Sequence, residues 1–484
     1  MKKLESGMAY DIGAFKKILR FFLIIGVFDK PARASFLNII SCNGYYGCLR
    51  CIQPGLTENH VHCNKFCKDD PSGPLRKKET YIEDCENQSY GVKGKIKLSE
   101  LRFFSPLYNT NIDYMHSILE GVVKRFFRYW FDENGEQSLK QFTQEIDERL
   151  LSIKPPLFIP ITPRSIEQRA KWRANEYLNF LLYYSLPIFC GIMEPKYYLN
   201  LMKLVVSMEL LLENKIKCEN LPIIKNILIS FVKEVEDIYP KAIMVSGMHE
   251  ILHLVECTLI FGPLNCTNSF QFEELNRKVI SLISGKDLMG DEFLKLFLVL
   301  QGLTFYSFKN DNPVLKEYFE KRNIIKSSNR KRLNESKKGV FTPLGEILPA
   351  SVEISNKIMT QHSDVLLPLK YCTRISFNGI VYTSLKSDTK RCDYCVKTHD
   401  ESFGLIEFFV YNDVQVYVIL KRISKYFHPF FDPLYPQLKS KSFLANFTKS
   451  EFISTLDKIS KAFLIEINDT RIYISTLSIS HLFM

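Results

Sequence analysis

The sequence predicts an α+β protein, mainly helical, with a small β domain towards its C-terminal end. Three observations carry this. From Asn109 to about Phe308, apolar residues recur at helical spacing over several long segments. After Leu366 the period shortens, and β-branched and aromatic runs alternate with Asn-Gly and Asn-Asp turns. Between the two lies "KEYFEKRNIIKSSNRKRLNESKKG", rich in Lys, Arg, Ser and Asn and poor in apolar residues, which reads as a linker. At 484 residues the chain is long enough for two to four domains around a large core. Its 46% hydrophobic and 24% charged residues are those of an ordinary soluble protein. Lys and Arg outnumber Asp and Glu by 64 to 53, a net charge of +11. That excess suits a polyanionic partner, and it suits an ordinary basic protein equally well.

In chain order, Phe21–Phe28 is a short continuous apolar run, the pattern of a strand buried on both faces and ending at the acid Asp29. The interval 1–34 has the outline of a signal peptide, but Asp29, Lys30 and Pro31 interrupt it before the small residues Ala32 and Ala34. From Asn38 to about Leu98 the sequence is Gly-, Pro- and Cys-rich and reads as irregular. "NIDYMHSILEGVVKRFFRYWF" puts Ile112, Met115, Ile118, Leu119, Val122, Val123, Phe126 and Trp130 on one helical face, with Asn109 or Thr110 as its cap. "NEYLNFLLYYSLPIF" is too interrupted for a membrane span and reads as a buried helix broken at Pro187. "KYYLNLMKLVVSMELLLEN" and "LPIIKNILISFVKEVEDIY" are further helices. "RISFNGIVYTSL", "FGLIEFFVYNDVQVYVILKRI", "AFLIEIN" and "RIYISTLSI" are strands of a mainly antiparallel sheet or barrel. These features place the chain in the cytosol or nucleus.

Thirteen cysteines, odd in number and scattered, suit free thiols in a reducing compartment. Two pairs stand apart, Cys48/Cys51 and Cys392/Cys395, both Cys-x-x-Cys, a spacing that lets one turn aim two thiolates at a single ion. For Cys48 and Cys51 the remaining ligands can be local, from His60, His62, Cys63 and Cys67. They can also be distant: His249 and His253 are one helical turn apart and share a face. Histidines on a buried helix face account for that pair equally. Cys392/Cys395 has His399 nearby and no fourth ligand, which favours two exposed thiols on a turn. Asp29 stands where a sheet presents a carboxylate at its C-terminal edge, and Glu273 lies in a helical stretch shortly after the histidines. Two such acids brought together can hold divalent ions for phosphodiester cleavage, although each alone reads as a surface or capping residue. Arg164, Arg169, Lys171 and Arg173 beside Trp172, and Arg330, Lys331 and Arg332 in the linker, are candidates for contact with DNA phosphates.

Four blocks, "FDKPARASFLNIISCNGYYGCLRCIQPG", "NIDYMHSILEGVVKRFFRYWF", "IKPPLFIPITPRSIEQRAKWRANEYLNFLLYYSLPIF" and "HEILHLVECTLIFGPLNCTNSFQFEELN", together resemble the transposases of CACTA (En/Spm-like) DNA transposons, in their animal-genome branch. More distantly they resemble the Transib and recombination-activating recombinases. The resemblance covers most of residues 20–310. It implies an RNase H-like (DDE) core interrupted by a large helical insertion, with Asp29 matching the second acid and Glu273 the third. Asp113, with His116 in the family's D-Y-M-H block, is an alternative third acid. It further implies that Cys48, Cys51, His249 and His253 form one structural zinc site tying the insertion to the core. Magnesium or manganese would serve cleavage in an intact relative, by hydrolysis at transposon ends followed by attack of the 3′-OH on target DNA. DNA is then the partner, with no membrane and no small-molecule substrate, in a nuclear protein able to form a homodimer.

The implied organisation is a remnant of the nuclease core at 1–37, the Cys/His-containing helical insertion at 38–245, and the histidine and third-acid helices at 246–312. A basic linker follows at 313–345 and the β-rich domain at 346–484. One departure stands out. About one strand of sequence precedes Asp29, and Asp11 has no buried strand before it, so the first DDE acid has no counterpart. The chain is therefore expected to be a truncated, catalytically inactive transposase derivative, or alternatively a non-catalytic, zinc-stabilised DNA- or chromatin-binding protein.

Overall fold

The computed structural model describes residues 1–12, 15–58, 61–63, 69–281, 283, 285, 288–309, 314, 341–362, 365–387, 391–426, 442–468 and 471–475. Arg330, Lys331 and Arg332 lie outside these, as do His60 and Cys67 and the side chains of His62 and Cys63.

The helical body forms as its periodicity requires, with two differences. Thr110–Ile112 is a strand, and the helix after it begins as a wide π turn over Met115–Val123 before tightening to an α-helix over Lys124–Phe131. The face read from the sequence survives that change, since Ile112, Met115, Ile118, Leu119, Val122, Val123, Phe126 and Trp130 are all buried. Neither Asn109 nor Thr110 caps this helix. The Asp113 carboxylate does so, accepting the His116 backbone N–H at 3.2 Å. The second difference lies at Pro187. The helix from Ala174 passes through a π segment at Phe180–Tyr184 and continues past Pro187 to Phe189. Widening the preceding turn moves the carbonyls that a proline ring would otherwise strike. Long helices over Pro195–Leu211 and Leu221–Ile238 complete the body. Its centre is aromatic: Trp130 stacks on Phe126 at 5.3 Å and donates its indole N–H to the Tyr239 hydroxyl at 3.0 Å. Phe127 meets Trp172, Tyr177 and Phe180 edge to face.

The apolar run before Asp29 is not a strand buried on both faces. Only Gly26–Phe28 pairs, in parallel with Thr110–Ile112, and its partner is also three residues long. The preceding Phe21, Phe22 and Ile24 are 51%, 42% and 63% exposed. Helix Lys30–Phe36 follows at once.

Among the described residues, the C-terminal part forms an antiparallel sheet of nine strands and a separate three-stranded sheet. Its hairpins sit where the turn residues put them. Asn378 and Gly379 both take positive φ, 50° and 79°, as a tight two-residue turn between Arg374–Phe377 and Ile380–Thr383 requires. The sheet packs on the helical body through Phe463, which meets Tyr183 and Tyr184 at 5.6 and 6.0 Å. The architecture is thus mixed α and β, with helices dominating the first part and an antiparallel sheet the last. Among the described residues no helix is long and apolar enough to cross a membrane.

Candidate metal centre and carboxylate cluster

The Cys48–Cys51 turn is wired into the rest of the molecule by two buried arginines. Arg50 donates to the carbonyls of Leu107 and Thr110 at 2.6 and 2.7 Å, fastening the turn to the strand that precedes Asp113. Arg76 donates to the Cys48 carbonyl at 3.1 Å from the opposite side. The tight turn needs Gly47, where a Cβ would lie 2.6 Å from the Ser41 carbonyl oxygen. The histidines come from the segment Ser246–Glu250 and the narrower turn Ile251–His253 that continues it.

All four side chains are buried and their ligating atoms lie within 4.8 Å of one another. Cys48 Sγ is 3.5 Å from His253 Nε2, Cys51 Sγ is 3.2 Å from His249 Nε2, and the two Nε2 atoms are 3.2 Å apart. A tetrahedral site with metal–sulfur bonds of about 2.3 Å and metal–nitrogen bonds of about 2.1 Å has sulfur–nitrogen edges of about 3.6 Å and nitrogen–nitrogen edges of about 3.4 Å. The observed edges match to within a few tenths of an ångström, so the cluster can hold a metal ion such as zinc. Behind it, His253 Nδ1 is 3.0 Å from Glu256, whose carboxylate is held by Lys225 at 3.0 Å. That contact fixes the ring so that Nε2 faces the sulfurs.

The four side chains set one another's protonation. Burial opposes ionisation of Cys48, yet the hydrogen bond from Cys51 and the fields of both histidines hold its thiol well below the usual range. The same hydrogen bond, with burial, pushes Cys51 up. Burial would lower His253, but the Cys48 thiolate and Glu256 raise it to about 9. Without an ion, the two thiols therefore release one proton readily and retain the other. An ion held by both sulfurs and both Nε2 atoms would displace the Cys51 proton and one from the His253 ring, so binding should release protons.

Between the two histidines sits Glu250, buried and paired with Arg33 and, at 3.5 Å, Lys30, while Ser117 donates to its other oxygen. Burial opposes its ionisation, but Arg33 and Lys30 prevail and hold its pKa at about 2. Lys30 and Arg33 belong to the helix that Asp29 caps, and Ser117 to the π turn after Asp113. One carboxylate thus joins the histidine segment to the elements that carry Asp29 and Asp113.

The acids lie at neighbouring strand ends. Phe28 and Ile112 are register partners, so Asp29 and Asp113 each follow a strand of the same parallel pair. Asp29 accepts the Ala32 N–H at 2.7 Å as a helix cap. Asp113 is 1% exposed and accepts the Ser269 N–H at 3.1 Å as well as that of His116. The His116 ring bridges outwards, with Nδ1 at 2.5 Å from Asp113 and Nε2 at 4.0 Å from Glu273, in the first turn of helix Phe270–Ile280. The hydrogen bond to Asp113 raises the His116 pKa against burial, and Glu120 and Asp29 add to it. Asp113 and Glu273 thus flank one imidazole, and Asp29 reaches it through its field alone, whereas the sequence pairs Asp29 with Glu273 and offers Asp113 as an alternative third acid.

The other sequence candidates fall differently. Arg164 forms a two-pronged pair with Glu176, and Arg169 pairs with Asp132 over the Phe131 ring, so both are committed within the body. Lys171 and Arg173 are exposed, while Trp172 is buried. Cys392 and Cys395 are not exposed thiols on a turn. Both are buried in the sheet core, where burial raises Cys392 to about 12 and Cys395 well above the usual range. Among the described residues, the Cys48–His253 cluster is the one group of three or more such side chains placed to share an ion. Glu250, Arg33 and Arg76 escaped the sequence reading, as did Glu256, whose place three residues after His253 was the one available signal. No protein-family model matches the chain, and no curated protein matches it.

Proposed function

We propose that the chain derives from a DNA transposase of the CACTA class: a nuclear, DNA-binding protein in which a structural zinc ion ties a helical insertion to an RNase H-like remnant. The observation that supports this best is the convergence of two cysteines and two histidines, as far as 205 residues apart, beside helices that carry the acids. Two thiolates and two imidazoles in a closed tetrahedron favour zinc over harder ions. With four protein ligands the ion has no position left for substrate, so its task is to hold the Cys48–Cys51 turn against the histidine segment. In an active relative, the counterparts of Asp29 and of Glu273, or alternatively Asp113, would hold magnesium or manganese together with a first acid that has no counterpart here, and the ions would supply charge stabilisation during phosphodiester cleavage.

A second reading, a non-catalytic zinc-stabilised DNA- or chromatin-binding protein, is favoured by the use this chain makes of those acids. Asp29 caps a helix, Asp113 is saturated with hydrogen bonds, and the His116 ring occupies the space between Asp113 and Glu273. Both readings share a protein that binds DNA without cutting it. Elemental analysis should find one zinc per chain, lost in Cys48→Ser and in His253→Ala. Duplex DNA binding should weaken steeply with salt, and incubation with manganese should leave DNA intact. Unchanged zinc in both variants removes the metal assignment. Absent or salt-independent DNA binding removes both readings, and manganese-dependent nicking removes the non-cleaving part.

A further inference from the structure

Just outside the metal turn, three tyrosines stand in a row. Tyr46 lies edge to face between Tyr45, at 4.8 Å and 83°, and Tyr90, at 5.2 Å and 72°. Tyr45 is 54% exposed and Tyr90 43% exposed, so the outer two present their rings to solvent. The backbone here is unusual, in a turn that follows helix Lys78–Asn87 and its left-handed C-cap Gln88. Tyr90 has φ 46°, in the left-handed region that a bulky residue seldom enters, and it follows Gln88 at φ 50°. Gly91 comes next at φ 77°, where a Cβ would lie 2.7 Å from the Tyr46 carbonyl oxygen, so the two segments touch backbone to backbone.

Arg76 holds the arrangement. Its guanidinium, buried beneath the row, donates to the carbonyls of Tyr90 at 2.7 Å, Tyr46 at 3.2 Å and Cys48 at 3.1 Å. The Tyr45 carbonyl accepts from the Gly55 N–H at 2.6 Å. The rings are thus mounted on the same framework as the metal ligand Cys48. Exposed lysines lie close in sequence: Lys77 follows Arg76, Lys93 comes three residues after Tyr90 and Lys97 lies beyond it, with exposed Glu79, Glu83 and Glu86 on the intervening helix Lys78–Asn87. Nearby Lys95 is paired with Glu86 at 3.0 Å.

We infer that Tyr45, Tyr46 and Tyr90 form a stacking surface for an unpaired nucleic-acid strand, with Lys77 and Lys93 contacting its phosphates. Rigid exposed rings beside lysines are what a sequence-tolerant single-strand site needs, since every base has a face to stack and every nucleotide a charge to neutralise. The inference rests on the DNA-binding reading above and adds to it a place and a strandedness. In a chain of net charge +11, an acidic polymer is favoured over a protein partner.

The test uses the full chain with a short fluorescein-labelled oligothymidylate and a labelled duplex, followed by anisotropy. The variant Tyr45→Ala with Tyr90→Asn removes both exposed rings, and asparagine tolerates the left-handed backbone that position 90 requires. It should bind the oligothymidylate about tenfold or more weaker than the parent, while zinc content and duplex binding change little. Tyr45→Phe should bind as the parent does, because the ring face and not the hydroxyl makes the contact. Lys93→Gln should reduce the salt dependence by about one phosphate contact. Equal oligothymidylate binding by the double variant, with zinc intact, overturns the inference. A parent chain that binds duplex and not oligothymidylate overturns it too, leaving the DNA-binding reading in place; binding to neither removes both.

Discussion

Glu250 is a single carboxylate on which the geometry of the candidate site converges. It sits between His249 and His253 in sequence, yet its carboxylate pairs with the Arg33 guanidinium and accepts from the Ser117 hydroxyl. Removing its charge leaves Arg33, 2% exposed, without a counter-ion, and breaking a buried pair from one side costs about 3–5 kcal/mol. Glu250→Gln should therefore melt well below the parent at neutral pH, by thermal unfolding of metal-free samples. The pH dependence follows from the depressed folded pKa of about 2. A carboxylate lowered in the folded state contributes stability above its unfolded value near 4.3, and loses it as pH falls towards 2. The difference between parent and variant should therefore shrink through that window and be constant above it; a gap that does not change with pH would mean packing, not charge, sets the cost. Residues of this kind were illegible in the sequence. Cys48, Cys51, His249 and His253 could be read because metal ligation imposes spacing. Arg33 and Glu250 have no spacing between them, and charged residues are so commonly solvated that nothing in the chain marks a buried pair.

At the scale of elements, periodicity revealed faces better than helix types. The stretch from Asn109 reads as one amphipathic helix, whereas it is a strand, a π turn and an α-helix in succession. The buried set is the same in both accounts, because the pattern records which side chains are hidden and not how wide the turns are. The wide turn also has a consequence for the site. It brings the Ser117 carbonyl against the histidine segment, where a Cβ on Gly247 would lie 2.6 Å from that oxygen and 3.4 Å from Lys30 Nζ. Backbone on one side and a charged group on the other leave little room to give. Gly247→Ala should push the segment outwards, costing about 1–3 kcal/mol of stability. It should also weaken zinc retention, because His249 lies only two residues on. Chelator competition alongside thermal melting measures both, and a variant that melts lower yet holds zinc as firmly as the parent would uncouple the helix approach from the metal. The apolar run before Asp29 shows the opposite failure. Eight apolar-rich residues suggest a full strand, but a strand exists only where a partner offers backbone groups, and Thr110–Ile112 offers three residues of them.

For the whole molecule, the division into a helical body and a β-rich end was legible because the period changes from 3.6 to 2 near Leu366. How the two parts meet was not, because that depends on contacts between residues far apart in the chain. Beside the Phe463 contact, a Pro-rich strap between Ile153 and Arg164 forms part of the joint. Arg391 donates to the carbonyls of Ile159 at 2.6 Å and Pro160 at 3.1 Å, and Asp393 accepts the Leu157 N–H at 3.1 Å. Asp393, 1% exposed, also pairs with Lys461 on a neighbouring strand segment. Burial lowers the pKa of Lys461, and Asp393 works against that shift. Asp393→Asn keeps the shape and the bond to Leu157 but removes the charge that keeps the lysine protonated. The lysine must then shed its proton or leave the interior, and either route strains the joint. The sign follows from proton counts. With the folded lysine depressed further below its unfolded value near 10.4, the unfolded state binds more protons across a wider range, so the variant gains stability as pH rises. Asp393→Asn should therefore be markedly less stable than the parent at pH 7 and approach it towards pH 10. Limited proteolysis at pH 7 should cut the strap between residues 153 and 164 faster in the variant, while zinc content stays unchanged. A stability difference that persists unaltered to pH 10 would place the cost in the lost Leu157 contact instead of the stranded lysine.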